Sequence, residues 1–559
     1  MFRLTITLGA SLALAGTGIA QDQLHHLSDP LLTDAYGASV CALGDVDGDG
    51  ATDFAVGDPG TPLVSGGVVA YSGVDAGELY RLASATGVTG FGAALASVGD
   101  LNGDGVPDFA VSAPAGALSP APNATVEFFS GVDGAALLPV IIGDKSSGFG
   151  TSLVAIPDID GDGKQDLAVG CPADSTTGTE AGAVRVFSTG SGLELYSVTG
   201  YNAGDLLGHS LALVDDIDGS TRVEFLAGAP GGEFVEAITH DSGLHWSINP
   251  GGPARDFGRA VAGLGDLNGD GVREFAIGAP SDMAGPFQAG NVRVYSGIDS
   301  TVLYTLLGNF DADAFGYSVC NAGDVDGDGV EDIAAGGTLE YSTSFYPAGV
   351  VRVHSGVDGA YIYSAVGSAS GSLYGTAVVD LGDVDGDTRR ELLVGAPGRN
   401  EAFVISRGRR VGLPMCFGDG NDVACPCGNF GASDEGCASS LGHGARLVAL
   451  GSEFVGDDFL ILMALDARPN TPGLFVQGAT RIGIPFKDGV FCLGNPTERL
   501  EVVFTDSEGT AVSTSSIVTE GNIGTGDTRY YQYWFRDPGG ISPCGTGSNF
   551  TSGVELNWF

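Results

Sequence analysis

One nine-residue pattern, repeated in phase, constrains this chain more than any other feature. Asp45-Val-Asp-Gly-Asp-Gly-Ala-Thr-Asp53 places carboxylates at its first, third, fifth and ninth positions. It returns as Asp100, Asn102, Asp104 and Asp108, and as Asp158, Asp160, Asp162 and Asp166. Further copies are Asp266, Asn268, Asp270 and Glu274; Asp324, Asp326, Asp328 and Asp332; and Asp383, Asp385, Asp387 and Glu391. A degenerate copy, Asp216, Asp218, Ser220 and Glu224, brings the number to seven. Successive first positions lie 50 to 59 residues apart, long enough for one four-stranded sheet per unit.

Two more features keep the same phase. Nine residues before each first Asp stands a large apolar or aromatic residue followed by Gly: Tyr36, Phe91, Phe149, Leu207, Phe257, Phe315 and Tyr374. Twelve residues after it comes a Gly-Ala-Pro-like triplet, as in Gly228-Ala-Pro230, Gly278-Ala-Pro280 and Gly395-Ala-Pro397. Short apolar runs flank each acidic loop, and a second hairpin follows, as in Gly67–Tyr71 and Glu78–Leu82. Two hairpins per unit predict a four-stranded antiparallel blade, and seven blades around an axis leave only short, protected edges. The seventh unit lacks a fourth strand of its own. Residues 23–28 stand thirteen positions before Tyr36, as Glu78–Ala83 stand before Phe91, so they are expected to close the last blade.

The loop chemistry points to a hard cation. Ca²⁺ takes six to eight oxygen ligands, and short Asp side chains around a Gly turn can supply them. A helix–loop–helix site needs an acid at position twelve, where this chain has Val56, Val111, Val169, Ile277, Ala335 or Val394. The loops are therefore read as hairpin metal sites with a structural rather than catalytic role.

On these motifs the chain resembles the FG-GAP repeat of integrin α-subunit N-terminal domains. The resemblance runs from about Gln23 to Arg409 and implies a seven-bladed β-propeller with Ca²⁺ in hairpin loops. It implies that the side chains at positions one, three, five and nine, with the position-seven carbonyl, ligate the ion. The Asp45, Asp100, Asp158, Asp266 and Asp324 loops match in full. The Asp383 loop keeps its acids but has Thr388 for the second Gly and Arg389-Arg390 beside it, and the Asp216 loop is expected to be empty. Five to six Ca²⁺ ions follow. The resemblance also puts the ligand face opposite the calcium loops, where the variable loops 115–123, 281–290 and 338–348 fall; the last holds Tyr341, Phe345 and Tyr346.

Composition excludes some partners. A formal net charge of −45, from 24 basic and 69 acidic residues, argues against nucleic acid and anionic membrane surfaces. With 43% apolar and 17% charged residues the chain has ample material for a core. Residues 1–20, with Arg3, an apolar run and small residues before Gln21, read as a secretory signal, an uncleaved anchor being the alternative. No later stretch spans a membrane. The expected location is secreted or cell-surface.

The propeller is assigned 21–410 and a Cys-rich β-domain 411–559, giving an all-β chain that ends in a smaller, sandwich-like, disulfide-rich unit. Cys416, Cys425, Cys427, Cys437, Cys492 and Cys544 favour three disulfides over zinc, with the pairing open. Val554–Phe559 reads as a last sandwich strand rather than the end of an outer-membrane barrel. Cys41, Cys171 and Cys320 are expected to be buried free thiols. Gly208-His-Ser-Leu-Ala212 resembles a nucleophile elbow, but it fills a repeat column that also holds Ser39, Ser152 and Ser318. No catalytic residue is assigned. The chain is read as a binding or adhesion module for an extracellular protein or glycan, not an enzyme. A carbohydrate-active lyase or hydrolase using the opposite face is the alternative, and a structural surface-layer component a third reading.

Overall fold

Seven four-stranded antiparallel sheets succeed one another along the chain. The structure, a computed structural model, describes residues 21–558 apart from short segments, the longest being 115–122, 283–288, 340–347, 452–459 and 538–543. Blade 1 is Ser39–Gly44, Asp53–Asp58, Gly67–Tyr71 and Glu78–Leu82, in that order across the sheet. Blades 2 to 6 repeat the plan. Their inner strands are Leu95–Gly99, Leu153–Ile156, Leu211–Asp215, Ala260–Gly263 and Phe315–Gly323. Blade 7 has Ala377–Gly382, Glu391–Ala396 and Glu401–Arg407, and its outer strand is Gln21–Ser28 from the start of the chain. Each inner strand packs against the next, and that of blade 7 packs against that of blade 1, so the ring is closed.

The second strand of each blade is buried along its whole length, as in Asp53–Asp58, Asp166–Cys171 and Glu391–Ala396. Neighbouring blades cover both its faces, so the usual alternation of apolar and polar residues gives way to a continuous apolar run. The position-twelve residues lie in these strands, and Val56, Val111, Val169, Ile277, Ala335 and Val394 are all fully buried. The aromatic-Gly column anchors the blade core: Phe91 meets Phe129, Phe149 meets Phe187 and Phe257 meets Tyr295 edge to face. Edge-to-face packing of this kind adds about 1 kcal/mol to the burial itself.

The two glycine columns meet between blades. A Cβ on Gly170 would lie 2.0 Å from the carbonyl oxygen of Gly208 in the next blade, and one on Gly395 would lie 1.9 Å from that of Gly37. The second contact is the seam where blade 7 meets blade 1. Gly395→Ala is expected to cost about 3 kcal/mol or more, because backbone must move to admit the methyl group. Gly371→Ala, left-handed at φ +74° but facing open space, is expected to cost only about 1 kcal/mol. Chemical denaturation of the two variants checks the contrast.

Contacts divide the chain into Gln23–Arg407 and a second unit that includes Gly408–Phe559. In the second unit one sheet holds the long hairpin Pro472–Phe486 and Gly489–Phe504, with Thr528–Arg536, Gly553–Asn557 and Leu413–Met415. A smaller sheet holds Arg446–Gly451, Leu460–Leu465 and Ala511–Val512. Leu447 and Leu462 of the smaller sheet share a core with Phe475, Tyr531 and Tyr533 of the larger, which makes the unit sandwich-like. Trp558 is buried in that core and donates to the Tyr531 hydroxyl at 3.1 Å. The disulfides are Cys416–Cys492, Cys425–Cys437 and Cys427–Cys544. Among the described residues no helix is long and apolar enough to cross a membrane.

Candidate metal loops and the opposite face

Each acidic loop joins the end of an inner strand to the start of the second. In the first, Asp45 Oδ1 accepts from the Gly48 N–H at 2.7 Å and Oδ2 from Gly50 at 3.1 Å, so the leading carboxylate folds the turn around itself. Asp100 and Asp158 do the same. The N–H groups of Gly105 and Gly103, and of Gly163 and Gly161, hold these carboxyls below the usual range. The ninth-position acid stands at or beside the start of the buried second strand. Asp53 Oδ2 accepts from Val46 at 2.7 Å and Asp47 at 3.1 Å, while Oδ1 accepts from Gly73 at 2.9 Å. Gly73 lies in the turn of the second hairpin, so Asp53 ties the two hairpins of the blade together. Asp108 makes the equivalent bond to Gly131 at 3.2 Å, and Asp332 to Gly356 at 3.1 Å.

Five loops gather three acids with ligand atoms mutually within 4.8 Å. These are Asp45, Asp47 and Asp53; Asp158, Asp160 and Asp166; Asp266, Asp270 and Glu274; Asp324, Asp326 and Asp332; and Asp383, Asp385 and Glu391. The Asp383 loop is thus among them despite Arg389-Arg390. The Asp100 loop is not: its third position is Asn102, whose amide donates to Asp104 at 2.8 Å, whereas Asn268 in the Asp266 loop donates to Glu274 at 2.9 Å and that loop still gathers its three acids. Among the described residues, a fifth-position acid joins a group only at Asp270. Asp49, Asp162, Asp270 and Asp328 all accept from the N–H two residues on, at 2.8 to 2.9 Å. Residues 218–220 and 387–388 lie outside the described residues, as do the signal segment and most of the three variable loops.

The donor set fits a hard divalent cation. All the side-chain donors of these groups are carboxylate oxygens. Burial pushes the Asp166 and Asp332 carboxyls up to about 6, so their negative charge lacks compensation in the protein alone. Asp166 Oδ1 is buried and has no hydrogen-bond partner among the described residues. A cation at the loop would supply that missing partner. Asp45, Asp47, Asp49 and Asp53, and their counterparts, would hold it.

The opposite face begins where the inner strands start and the second strands end. There a cavity of about 500 Å³ spans blades 4 to 7, lined in part by Leu206, His209, Asp256, Arg259, Tyr317 and Leu373. The Arg259 guanidinium sits 4.3 Å over the centre of the Tyr317 ring and also meets His209 Nε2. Burial, then the Arg259 charge, push His209 down to about 4, so it is neutral near pH 7. Asp256 accepts from the Ser281 hydroxyl. Of the lining, Ser281, Thr338 and Leu339 fall in variable loops expected on the ligand face, whereas Leu206, His209, Asp256, Arg259, Tyr317 and Leu373 were not singled out as ligand contacts from the sequence, although two repeat columns carry the signal. The residue after aromatic-Gly is small in blades 1 to 3 (Ala38, Ala93, Thr151) and large in blades 4 to 6 (His209, Arg259, Tyr317).

The serine of the elbow-like motif has a different task. Ser210 Oγ donates to the Gly258 carbonyl of the next blade at 2.9 Å, as Ser39 does to Gly92, Ser152 to Gly208 and Ser318 to Gly375. Four copies of one interblade bond account for the column. Of the free cysteines, Cys41 and Cys171 are buried; Cys320 is partly exposed as a residue, yet burial pushes its thiol up as it does theirs.

Repeated hairpin loops of this geometry, with paired glycine columns between blades, define a repeat propeller with acidic, cation-competent loops. Residues 91–126, 149–187, 257–295 and 315–354 match the FG-GAP repeat family. Each match starts at a Phe-Gly pair; the unmatched blades carry Tyr36, Leu207 or Tyr374 there. The chain is 30% identical to Drosophila melanogaster integrin alpha-PS2 over 32% of its own length and 14% of the relative's. It is 28% identical to Gallus gallus integrin alpha-V over 37% and 22% of the two lengths. With Homo sapiens integrin alpha-IIb it shares 33% identity over 33% and 19%. The matches thus span less than a quarter of these relatives. The chain carries an FG-GAP β-propeller of the integrin α N-terminal type.

Proposed function

We propose that this is an exported, calcium-stabilised propeller that acts as a binding or adhesion module for an extracellular protein or glycan. In this reading the first 20 residues direct export, and the face opposite the acidic loops meets the ligand. The observation that carries it is the division of labour between faces. The loop face is repetitive and engaged in bracing, with Asp53, Asp108 and Asp332 each tied to the second hairpin. The opposite face holds a cavity built from the columns in which the blades differ. Side chains that vary on a rigid repeat are where specificity resides.

The alternative, a carbohydrate-active lyase or hydrolase on that face, draws support from His209, Asp256, Arg259 and Ser281 lining one cavity. Against it, glycoside hydrolysis uses a pair of carboxyl groups, and Asp256 is the single carboxylate of that lining among the described residues. A combined glycan and protein array, probed with the secreted protein in Ca²⁺ and again in chelator, tests the proposal. Retained binding that weakens on chelation supports it. Turnover of an arrayed glycan would favour the enzyme, and no binding to anything would leave only a structural role.

A further inference from the structure

Exposed phenylalanine is rare in this chain. Of its 28 phenylalanines, the exposed ones among the described residues are Phe430, Phe486 and Phe504, all in the Cys-rich unit. Two of them stand on the long hairpin Pro472–Phe486 and Gly489–Phe504. Tyr533 and Phe535 point into the sandwich core, so Trp534 and Arg536 face outward from the same strand. Phe550, Trp534, Leu474 and Val502 are successive cross-strand partners, which makes one apolar row across four strands. One step along, Pro472 partners Phe504, and Arg536 partners Ser548. Val502 is 66% exposed, Phe504 67%, and Phe486, whose ring meets Phe550, 47%. Elsewhere on this face Val476 and Tyr530 are covered by the cluster of Met415, Cys416 and Cys437. The rows at 502 and 504 stay open.

The charges on this face run against those of the chain. Three arginines of the unit are paired with carboxylates: Arg446 with Asp466, Arg468 with Asp537 and Arg529 with Asp527. Lys487, Arg499 and Arg536 have no carboxylate partner among the described residues. Lys487 lies 5.9 Å from the centre of the Phe486 ring, Arg536 lies 5.2 Å from that of Trp534, and Arg499 stands opposite Val476, beside the open rows. Aromatic and aliphatic side chains bordered by Lys and Arg are the composition of a membrane–water interface. A sugar would need acceptors for its hydroxyls, and these rows hold no Asn, Gln, Asp or Glu. The net charge of −45 opposes an anionic surface for the chain as a whole. At physiological ionic strength that repulsion is screened beyond about 8 Å, so the charges beside the contact decide.

We propose that this face of the Cys-rich unit docks on a lipid surface carrying anionic headgroups. Val502, Phe504 and Phe486 enter the interface, and Arg499, Arg536 and Lys487 meet headgroup phosphates. The assignment is independent of what the propeller binds. The experiment floats the full secreted chain with vesicles of phosphatidylcholine, alone and mixed with phosphatidylglycerol, in Ca²⁺ and in chelator. Binding to the mixed vesicles should persist in chelator and weaken as salt rises. Val502→Ser combined with Phe504→Ser should lower the partition coefficient by about tenfold or more. Arg499→Gln combined with Arg536→Gln should lower it about 10- to 30-fold. Val132→Ser, an exposed position of the propeller, should float as the parent does. All these side chains are exposed, so each variant should melt as the parent. Brominated acyl chains should quench part of the tryptophan fluorescence, and Trp534→Phe should abolish that quenching while flotation is kept.

No flotation with either vesicle would overturn the proposal. Flotation that both double variants keep would overturn the face, and its loss in chelator would assign the contact to ions bridging the acidic loops. A dimer in solution that Val502→Ser with Phe504→Ser dissolves, without vesicle binding, would replace the lipid by a second copy of the chain. Arg536-dependent retention on a glycan array, again without vesicle binding, would overturn the lipid in favour of a sugar.

Discussion

Deleting residues 21–28 will replace a single cooperative melt with a broad, early transition. The strand Gln21–Ser28 is the outer strand of blade 7, so it joins the start of the chain to the last repeat. Leu27 is buried in a cluster with Tyr36, Ala402 and Val404, and the His26 ring stacks on Phe403 at 4.9 Å between centroids. Losing one buried Leu costs about 2 kcal/mol. The strand's ladder hydrogen bonds add about 1 kcal/mol each, and the stripped strand Glu401–Arg407 becomes a bare edge. The sum is on the order of 5 kcal/mol or more, comparable with the whole stability of an ordinary domain. Differential scanning calorimetry of the truncated chain checks it, and an unchanged transition would show that the ring closes without this strand.

Chelation should lower the melting temperature by on the order of 10 °C. Extracellular Ca²⁺ modules bind at roughly 10⁻⁴–10⁻³ M, and free ion tenfold above that contributes about 1.4 kcal/mol per site. Five or six sites together reach several kcal/mol, which a domain of this size registers as a shift of that order. The cause is local. Without an ion, three carboxylates face one another within 4.8 Å in each of five loops. Burial has already raised Asp166 and Asp332 to about 6, so at neutral pH their charge is carried at a cost that a cation offsets. Thermal melts in Ca²⁺ and in chelator read the difference, and coincident melts would remove the ions from the stability account.

Much of the propeller is visible in the sequence because its constraints are periodic. The phase shared by Phe91-Gly92, Asp100 and Ser112-Ala-Pro114 follows from one blade plan, and the glycine columns follow from backbones that touch between blades. The acidic loops are legible for the same reason, apart from one distinction. Asn102 and Arg390 look like a tolerated and an adverse substitution, yet the Asp383 loop groups its acids and the Asp100 loop does not. Asn at the third position does not decide it, since the Asp266 loop with Asn268 groups its acids; what differs is placement: Asn102 donates to Asp104, Asn268 to Glu274, and Arg390 turns to Asp380.

The cavity was missed for a physical reason. His209, Arg259 and Tyr317 lie about 50 residues or more apart in the chain, and only the packing of consecutive blades brings them to one mouth. Their signal was not a motif but a departure from the repeat: Leu206, Asp256, Ala314 and Leu373 stand in a column where Gly90 and Gly148 show what the backbone prefers. In the Cys-rich unit, three disulfides were expected, but fifteen pairings were open until the fold brought Cys427 beside Cys544 across 117 residues.

Counting the ions bound to the full chain tests the account most directly. Equilibrium dialysis against Ca²⁺ followed by elemental analysis is expected to return five or six ions per chain, released by chelator and not replaced by zinc. A chain that retains no calcium, or a single ion, would contradict the assignment of the repeated loops as cation sites and with it the calcium-braced propeller.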